Sequence, residues 1–175
     1  VRAPAIFTGH SYAYEYDDKG NKVKLNKYFD FGLAKTYKYF YKDGLKQPIK
    51  EEERDVITTS IGYDHLYTYS GNITTKESYK LDGSLFYKNI FYYDNYKNLL
   101  KHVGISPSGK EQIVEDISYK YDNSGRVLEK VWLKLNGSKR KNIYSYQDGK
   151  LSKIEFVDAL TNEVKFIHTF DYIYS

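Results

Sequence analysis

Tyr119-Lys120-Tyr121-Asp122-Asn123-Ser124-Gly125-Arg126-Val127 is the stretch of sequence that decides the fold. Its two tyrosines occupy alternate positions, so a β-strand would carry both rings on one face. The Asp-Asn-Ser-Gly segment that follows is rich in residues that reach the positive φ angles of tight hairpin turns. The chain becomes apolar again at Val127. The stretch therefore predicts a strand, a tight turn and the start of a second strand.

The same pattern recurs at intervals of about 26 residues, which marks it as an internal repeat. Each copy has an aromatic residue, then any residue, then a tyrosine, and all copies but the last are followed by turn residues. A second series of turns lies half a period away, so a hairpin turn is expected about every 13 residues, with strands of about 6 to 10 residues. The aromatic copies are Tyr14–Tyr16, Tyr39–Tyr41, Tyr67–Tyr69, Phe91–Tyr93, Tyr119–Tyr121, Tyr144–Tyr146 and Phe170–Tyr172, and the second turns are Asp82-Gly83, Ser108-Gly109, Asn136-Gly137 and Thr161-Asn162.

These repeats predict an all-β fold in a single domain over residues 1–175. We expect an antiparallel meander of about a dozen strands, built from tandem β-hairpins and twisted or curled on itself. A β-sandwich and an open barrel are alternatives, because a curled sheet must cover its apolar face. The composition agrees, since the 175 residues include 21 Tyr and 9 Phe, and tyrosine is favoured on half-buried pleated surfaces.

Two segments depart from the repeat. Lys46–Ser60 contains Glu51-Glu52-Glu53-Arg54 and lacks a central glycine turn. We predict either a short helix after Pro48 or a long polar excursion between strands. Phe170–Tyr174 is predicted to be a lone final strand.

The composition also excludes several kinds of site. The absence of cysteine excludes disulfides and thiolate metal ligands. A net charge of +4 is well short of a nucleic-acid-binding signature, so no nucleic-acid partner is predicted. No apolar run approaches the roughly 18 residues of a membrane helix. No cofactor and no metal site are predicted, because the four histidines have no metal-ligand spacing: His10, His65, His102 and His168.

One stretch imitates a phosphate-binding loop. Gly104–Lys110 fits the first seven positions of that motif, but Glu111 stands where a Ser or Thr would hold Mg²⁺. Gly109 also falls in phase with the second turn series, so an ordinary turn is predicted. The acidic pairs Asp17-Asp18 and Asp122-Asn123 are likewise interpreted as turn formers and not as Ca²⁺ sites.

The candidate binding residues lie in the basic segment Arg126–Lys153, which also holds the chain's single tryptophan. A basic strand pair that carries an aromatic ring suits an acidic glycan, an anionic lipid or a nucleic acid. The alternative is a solvated sheet face whose lysines discourage edge-to-edge aggregation. The predicted binding residues are Trp132, Lys130, Lys134, Lys139, Arg140 and Lys141.

The pattern Tyr-x-Tyr-Asp-x-x-Gly-x-hydrophobic, clearest at Tyr14–Val23 and Tyr119–Val127, resembles the YD repeat of Rhs-type bacterial surface and wall-associated proteins. The chain is most similar to the short YD-repeat proteins of Bacteroidetes. Lys42–Leu45 and Lys80–Leu85 are also similar to hairpin-repeat antitoxin-like and MORN-like proteins. The YD resemblance implies a periplasmic, outer-membrane-attached or extracellular protein, with a lipid anchor upstream of the chain as a further expectation. Neither resemblance supplies catalytic residues.

The leading hypothesis is a noncatalytic cell-surface or periplasmic module that binds a glycan, such as a cell-surface polysaccharide, or another protein. One alternative is a structural spacer within a surface protein. A second is an antitoxin-like partner protein. A third is a hydrolase, because the carboxylate pair of a glycoside hydrolase is defined by separation in space and not by sequence. No residue is singled out as catalytic, and the chain is not expected to be an enzyme.

Overall fold

The computed structural model describes residues 10–29 and 32–172. Thirteen strands lie in one sheet, and each is hydrogen-bonded to its neighbours in chain order. The predicted all-β antiparallel meander is therefore confirmed. None of the described residues belongs to a helix that would be long and apolar enough to cross a membrane. The strands are β1 (Ser11–Tyr16), β2 (Lys22–Phe29), β3 (Gly32–Phe40), β4 (Lys50–Asp55), β5 (Gly62–Ser70), β6 (Ile73–Lys80), β7 (Leu85–Tyr93), β8 (Leu99–Ile105), β9 (Glu111–Tyr121), β10 (Val127–Lys134), β11 (Lys139–Gln147), β12 (Lys150–Asp158) and β13 (Val164–Thr169).

The described residues form two compact units. The first unit contains the strands β1 to β5, Thr74–Asn89 and Ser106–Gly109. The second contains Gly71–Ile73, Ile90–Ile105 and the described residues from Lys110 onwards. Each unit holds one of the two candidate sites described below. The expectation of a single domain over residues 1–175 stays a prediction.

Both predicted turn series are present. Gly125 in the first series has a φ of 80°, and Gly137 in the second has a φ of 77°. A side chain in this left-handed region is strained, which is why glycine occupies these positions. The stretch that imitates a phosphate loop is also a turn, as predicted, and the Gly109 N–H donates to the Ser106 carbonyl at 2.9 Å.

The aspartate of the repeat holds its turn together. Asp122 Oδ1 accepts hydrogen bonds from the backbone N–H groups of Ser124 and Arg126, each at 2.9 Å. Its second oxygen accepts from Arg126 Nε at 2.6 Å. The backbone N–H of Arg126 is the main reason that the pKa of Asp122 is lowered. Asp17 and Asp94 accept bonds from backbone N–H groups in the same way, so these residues do form turns as predicted.

The tyrosines of the repeat do more than pack. Successive copies lie on every second strand. Tyr121 donates to the Asp94 carboxylate, but in four other copies the last tyrosine reaches the start of the strand between. Its hydroxyl donates to a backbone carbonyl there, which adds a bond beyond the sheet ladder. These bonds run from Tyr41 to Lys22 at 2.9 Å, from Tyr69 to Pro48 at 2.8 Å, from Tyr146 to Val127 at 2.8 Å and from Tyr172 to Leu151 at 2.9 Å.

Two local predictions were wrong. Within Lys46–Ser60 the chain forms the regular strand β4 and not a helix or an excursion. Several of its charges are paired across the sheet: Lys35 Nζ lies 2.5 Å from Glu53 Oε1, and Arg54 Nη2 lies 2.6 Å from Asp64 Oδ1. The last described strand is β13, which ends at Thr169, before the predicted one begins. The end of the predicted strand, from Ile173, lies outside the described residues.

The apolar core of the described residues is small. Only four hydrophobic residues are buried: Ala34, Val103, Ile117 and Val157. Three polar residues are buried with them, namely His65, Ser78 and Asn142. Since buried polar groups are costly without partners, their surroundings are the first places to search for a site.

Candidate functional site

The predicted Trp132 lies on β10 with its ring half-buried against the sheet. The residue is opposite the buried Ile117 of β9 and opposite Arg140 of β11. The Lys130 ammonium lies 5.1 Å from the centre of the Trp132 ring and 5.8 Å from that of Tyr119. At these distances the cation is attracted to both rings. Lys130 therefore extends along the aromatic face.

A groove of about 410 Å³ runs beside Trp132. Across it, Phe156 of β12 and Phe166 of β13 face each other in register, with ring centroids 4.2 Å apart and planes inclined by 17°. Arg140 lies at the same groove, opposite Asp158 of β12. The groove is lined by Trp132, Ser138, Lys139, Arg140, Lys141, Asn142, Phe156, Val157, Asp158, Lys165 and Phe166.

The sheet divides the predicted binding residues between its two faces. Strand alternation and register put Trp132, Lys130, Lys134 and Arg140 on one face. Lys139 and Lys141 border the groove, but alternation directs their side chains to the other face. An ion pair agrees with this, because Lys141 Nζ lies 3.1 Å from Glu129 Oε2 on that face.

Sequence reasoning missed several residues of the groove. Phe156, Phe166 and Lys165 come from β12 and β13, outside the segment that was singled out. For the two phenylalanines, the sequence signal is that β12 and β13 each carry an aromatic residue. Their proximity to Trp132 follows from strand register, and the β12–β13 register shifts between Phe156 and Val157.

A second cluster lies in the first unit, where β4 and β5 pair. His65 of β5 is opposite Glu51 of β4, and Glu53 lies two residues further along β4 on the same face. The His65 side chain is only 8% exposed. Its Nε2 lies 3.6 Å from Glu53 Oε2 and 3.8 Å from Glu51 Oε1. Its Nδ1 lies 2.9 Å from the hydroxyl of the buried Ser78.

Burial governs the protonation of this cluster. It lowers the pKa of His65, and the nearby Lys76 lowers it further, while Glu51 and Glu53 only partly oppose the shift. The imidazole is therefore neutral near pH 7. Burial also raises the pKa of Tyr67, together with the negative charge of Glu51, to which the Tyr67 hydroxyl donates at 3.3 Å.

This cluster was not predicted from the sequence. The histidines were interpreted as isolated, and the β4 segment was not recognised as a strand. Three consecutive glutamates show no alternation that would indicate a strand, and only the strand geometry places the first and third carboxylates on one face. The absence of a metal site stays a prediction.

Comparison with known proteins does not assign the chain to a family. No protein-family model matches the sequence, and no curated protein does. A porin-like protein from Bacteroides vulgatus is 12% identical, with 90% of this chain and 92% of that chain covered and a TM-score of 0.49. The TcdB2-TccC3-Cdc42 complex and the Tc holotoxin pore of Photorhabdus luminescens are each 14% identical, with 95% of this chain covered and a TM-score of 0.38.

The chain spans only 10% of these toxin chains. With every one of these TM-scores below 0.5, the similarities carry no argument about function. The resemblance to YD-repeat proteins therefore depends on the repeat residues alone.

Proposed function

We propose that the chain is a noncatalytic binding module that holds an anionic glycan in the groove beside Trp132. One observation carries this proposal: three aromatic rings and the guanidinium of Arg140 line the same groove of about 410 Å³. The rings are those of Trp132, Phe156 and Phe166.

The aromatic rings supply the apolar part of the recognition. Flat ring faces pack well against the C–H faces of pyranose sugars, and the indole N–H adds a hydrogen-bond donor. Phe166 is 52% exposed, so much of its surface is open to a ligand. The cost of ordering these rings is small, because Phe156 and Phe166 already stack on each other.

The charge of the groove selects an acidic ligand. Arg140 offers a planar set of donors that matches a carboxylate or sulfate group. Lys165 lines the same groove, and its charge is partly balanced by Glu163 at 2.5 Å. Asp158 is the only acidic residue in the lining. Sugars that bear carboxylate or sulfate groups are therefore favoured over neutral ones.

The location implied by the YD-like repeat suits this function. A periplasmic, outer-membrane-attached or extracellular protein meets anionic polysaccharides directly. The alternatives of a spacer, an antitoxin-like partner and a hydrolase stay hypotheses, and nothing in the groove favours any of them.

The experiment is a binding titration of the full chain with acidic oligosaccharides and with their carboxyl-reduced or desulfated counterparts. Arg140→Gln should weaken binding of the acidic form by about tenfold or more, the usual scale for a charge-assisted hydrogen bond. Trp132→Ala should weaken both forms. Lys139→Gln is the matched control, because it removes a neighbouring cation whose side chain points to the other face.

Two results would contradict the proposal. One is that Arg140→Gln and Lys139→Gln weaken binding equally, which indicates non-specific charge attraction. The other is that Trp132→Ala keeps both the native thermal midpoint and full affinity. Tyr16→Ala serves as the aromatic control, because Tyr16 is 60% exposed and belongs to the first unit.

A further inference from the structure

We infer that Glu51, Glu53 and His65 form a binding site for a divalent first-row transition-metal ion such as Zn²⁺. One ligand atom from each side chain can be chosen so that all three lie within 4.8 Å of one another. Atoms at such separations can share a single ion at the usual metal–ligand distances of about 2.0–2.2 Å after small side-chain adjustments. This inference is independent of the glycan groove, which belongs to the other unit.

The histidine is already positioned as a ligand. Its Nε2 points at the two carboxylates but lies 3.6 and 3.8 Å from them, too far for a hydrogen bond. Its other nitrogen lies 2.9 Å from the Ser78 hydroxyl. Metal-bound histidines typically fix their second nitrogen with such a partner, and when the hydroxyl accepts from Nδ1–H the Nε2 lone pair is free to bind a metal.

The two glutamates lie close together in a largely buried position. Their side chains are only 15% and 18% exposed, and both project from the same face of β4. Lys35 pairs with Glu53, the charge of Lys76 also acts on the cluster, and Glu51 accepts a long bond from the Tyr67 hydroxyl. Two half-buried carboxylates side by side repel each other and are costly to desolvate. A divalent cation between them would remove both costs.

The donor set determines the class of metal. One imidazole nitrogen with two carboxylate oxygens suits Zn²⁺ and its first-row neighbours, whereas Ca²⁺ and Mg²⁺ prefer oxygen ligands alone. Water would complete the coordination on the side where the carboxylates are exposed.

The test is a competition titration of the full chain with Zn²⁺ against a chromophoric chelator. Glu51→Gln, Glu53→Gln and His65→Gln should each weaken Zn²⁺ binding more than Ser78→Ala does, and the loss for Ser78→Ala should be about 10- to 100-fold. Glu52→Gln is the matched control, since this carboxylate lies between the other two in sequence but faces the opposite side and pairs with Lys50 at 2.7 Å. Its affinity should stay within about twofold of the wild type, because it supplies no ligand.

A spectroscopic measurement on the wild type tests the inference even if the variants fail to fold. Co²⁺ in place of Zn²⁺ should shift the imidazole N–H resonance of His65 far outside the diamagnetic range, and Ser78 should protect that proton from exchange. Zn²⁺ binding that is equal in the wild type and in folded Glu51→Gln would overturn the inference. So would a Co²⁺-shifted signal that disappears in His102→Gln and persists in His65→Gln, or the absence of any shifted signal in the wild type.

Discussion

The hydroxyl of Tyr146 provides the most direct test of whether the hydrogen bonds of the repeat tyrosines stabilise the sheet. In the wild type this group donates to the Val127 carbonyl at 2.8 Å, in a half-buried position. Tyr146→Phe removes one oxygen and keeps the ring, which also keeps its contact with the Arg126 guanidinium, 4.9 Å from the ring centre. The change therefore isolates the hydrogen bond.

The expected magnitude follows from the net value of such a bond. Folding exchanges a bond to water for this one, so the net loss is about 0.5–1.5 kcal/mol. In a chain of this length a loss of about 1 kcal/mol lowers the thermal midpoint by about 2–4 °C. Tyr172→Phe is the control, because the bond from Tyr172 to Leu151 is as short, at 2.9 Å, but exposed. Water replaces the lost partner there, and the expected loss is below about 0.5 kcal/mol.

The assay is urea unfolding followed by circular dichroism. Tyr146→Phe should lower the transition midpoint at an unchanged slope, since a changed slope would mean a change in the surface exposed on unfolding. The reasoning would be refuted if Tyr146→Phe were as stable as the wild type. It would also be refuted if Tyr172→Phe lost as much as Tyr146→Phe, because burial would then be irrelevant.

The remaining predictions concern the turn of the same repeat. Hydrogen bonds lower the folded-state pKa of Asp122, so its contribution to stability is full above the unfolded pKa of about 3.9 and is lost as the pH falls through the folded pKa. Asp122→Asn should therefore flatten the acid side of a profile of unfolding free energy against pH. An unchanged profile would contradict the hydrogen bonding of Asp122. Gly125→Ala should destabilise the fold by more than the roughly 1–2 kcal/mol of left-handed strain, because a Cβ there would lie 2.7 Å from Tyr96 Cε1. Gly137 has a similar φ, but a Cβ there would meet nothing within 4 Å. In urea unfolding, Gly137→Ala should therefore lose only the free energy of backbone strain. Equal losses of stability in Gly125→Ala and Gly137→Ala would contradict the clash with Tyr96.

Much of the fold was predictable because its signals are local. Glycine, asparagine and aspartate mark each turn, and the tyrosine pairs mark one face of every second strand. Strand β4 was missed because Glu51-Glu52-Glu53-Arg54 has no apolar alternation to indicate a strand. Its strand character depends on charges that neighbouring strands supply, such as Lys35 and Asp64. Those partners are fixed by register, which the sequence of β4 alone does not contain.

The groove was predictable in part for the same reason. Trp132 and Arg140 belong to one hairpin, so the charged segment pointed to both. The opposite orientation of Lys139 was not predictable from that segment, because it depends on the register of β10 with β11. Phe156 and Phe166 depend on two further pairings, each of which contains a register shift. Each additional strand and each irregularity adds a register that the sequence pattern leaves open.

The buried polar residues connect the two candidate sites with the energetics of the fold. A sheet with so few buried apolar side chains gains little from burying an imidazole, a hydroxyl or an amide, because each must lose water to do so. Yet among the described residues the three buried polar side chains are His65, Ser78 and Asn142. His65 is a ligand of the proposed metal site and Ser78 bonds its second nitrogen, while Asn142 lines the proposed glycan groove. Asn142 has only a long bond from its amide to the Tyr144 hydroxyl, at 3.3 Å. Each of the three makes a hydrogen bond within the fold, and the two proposals give each a second role beside a bound ligand.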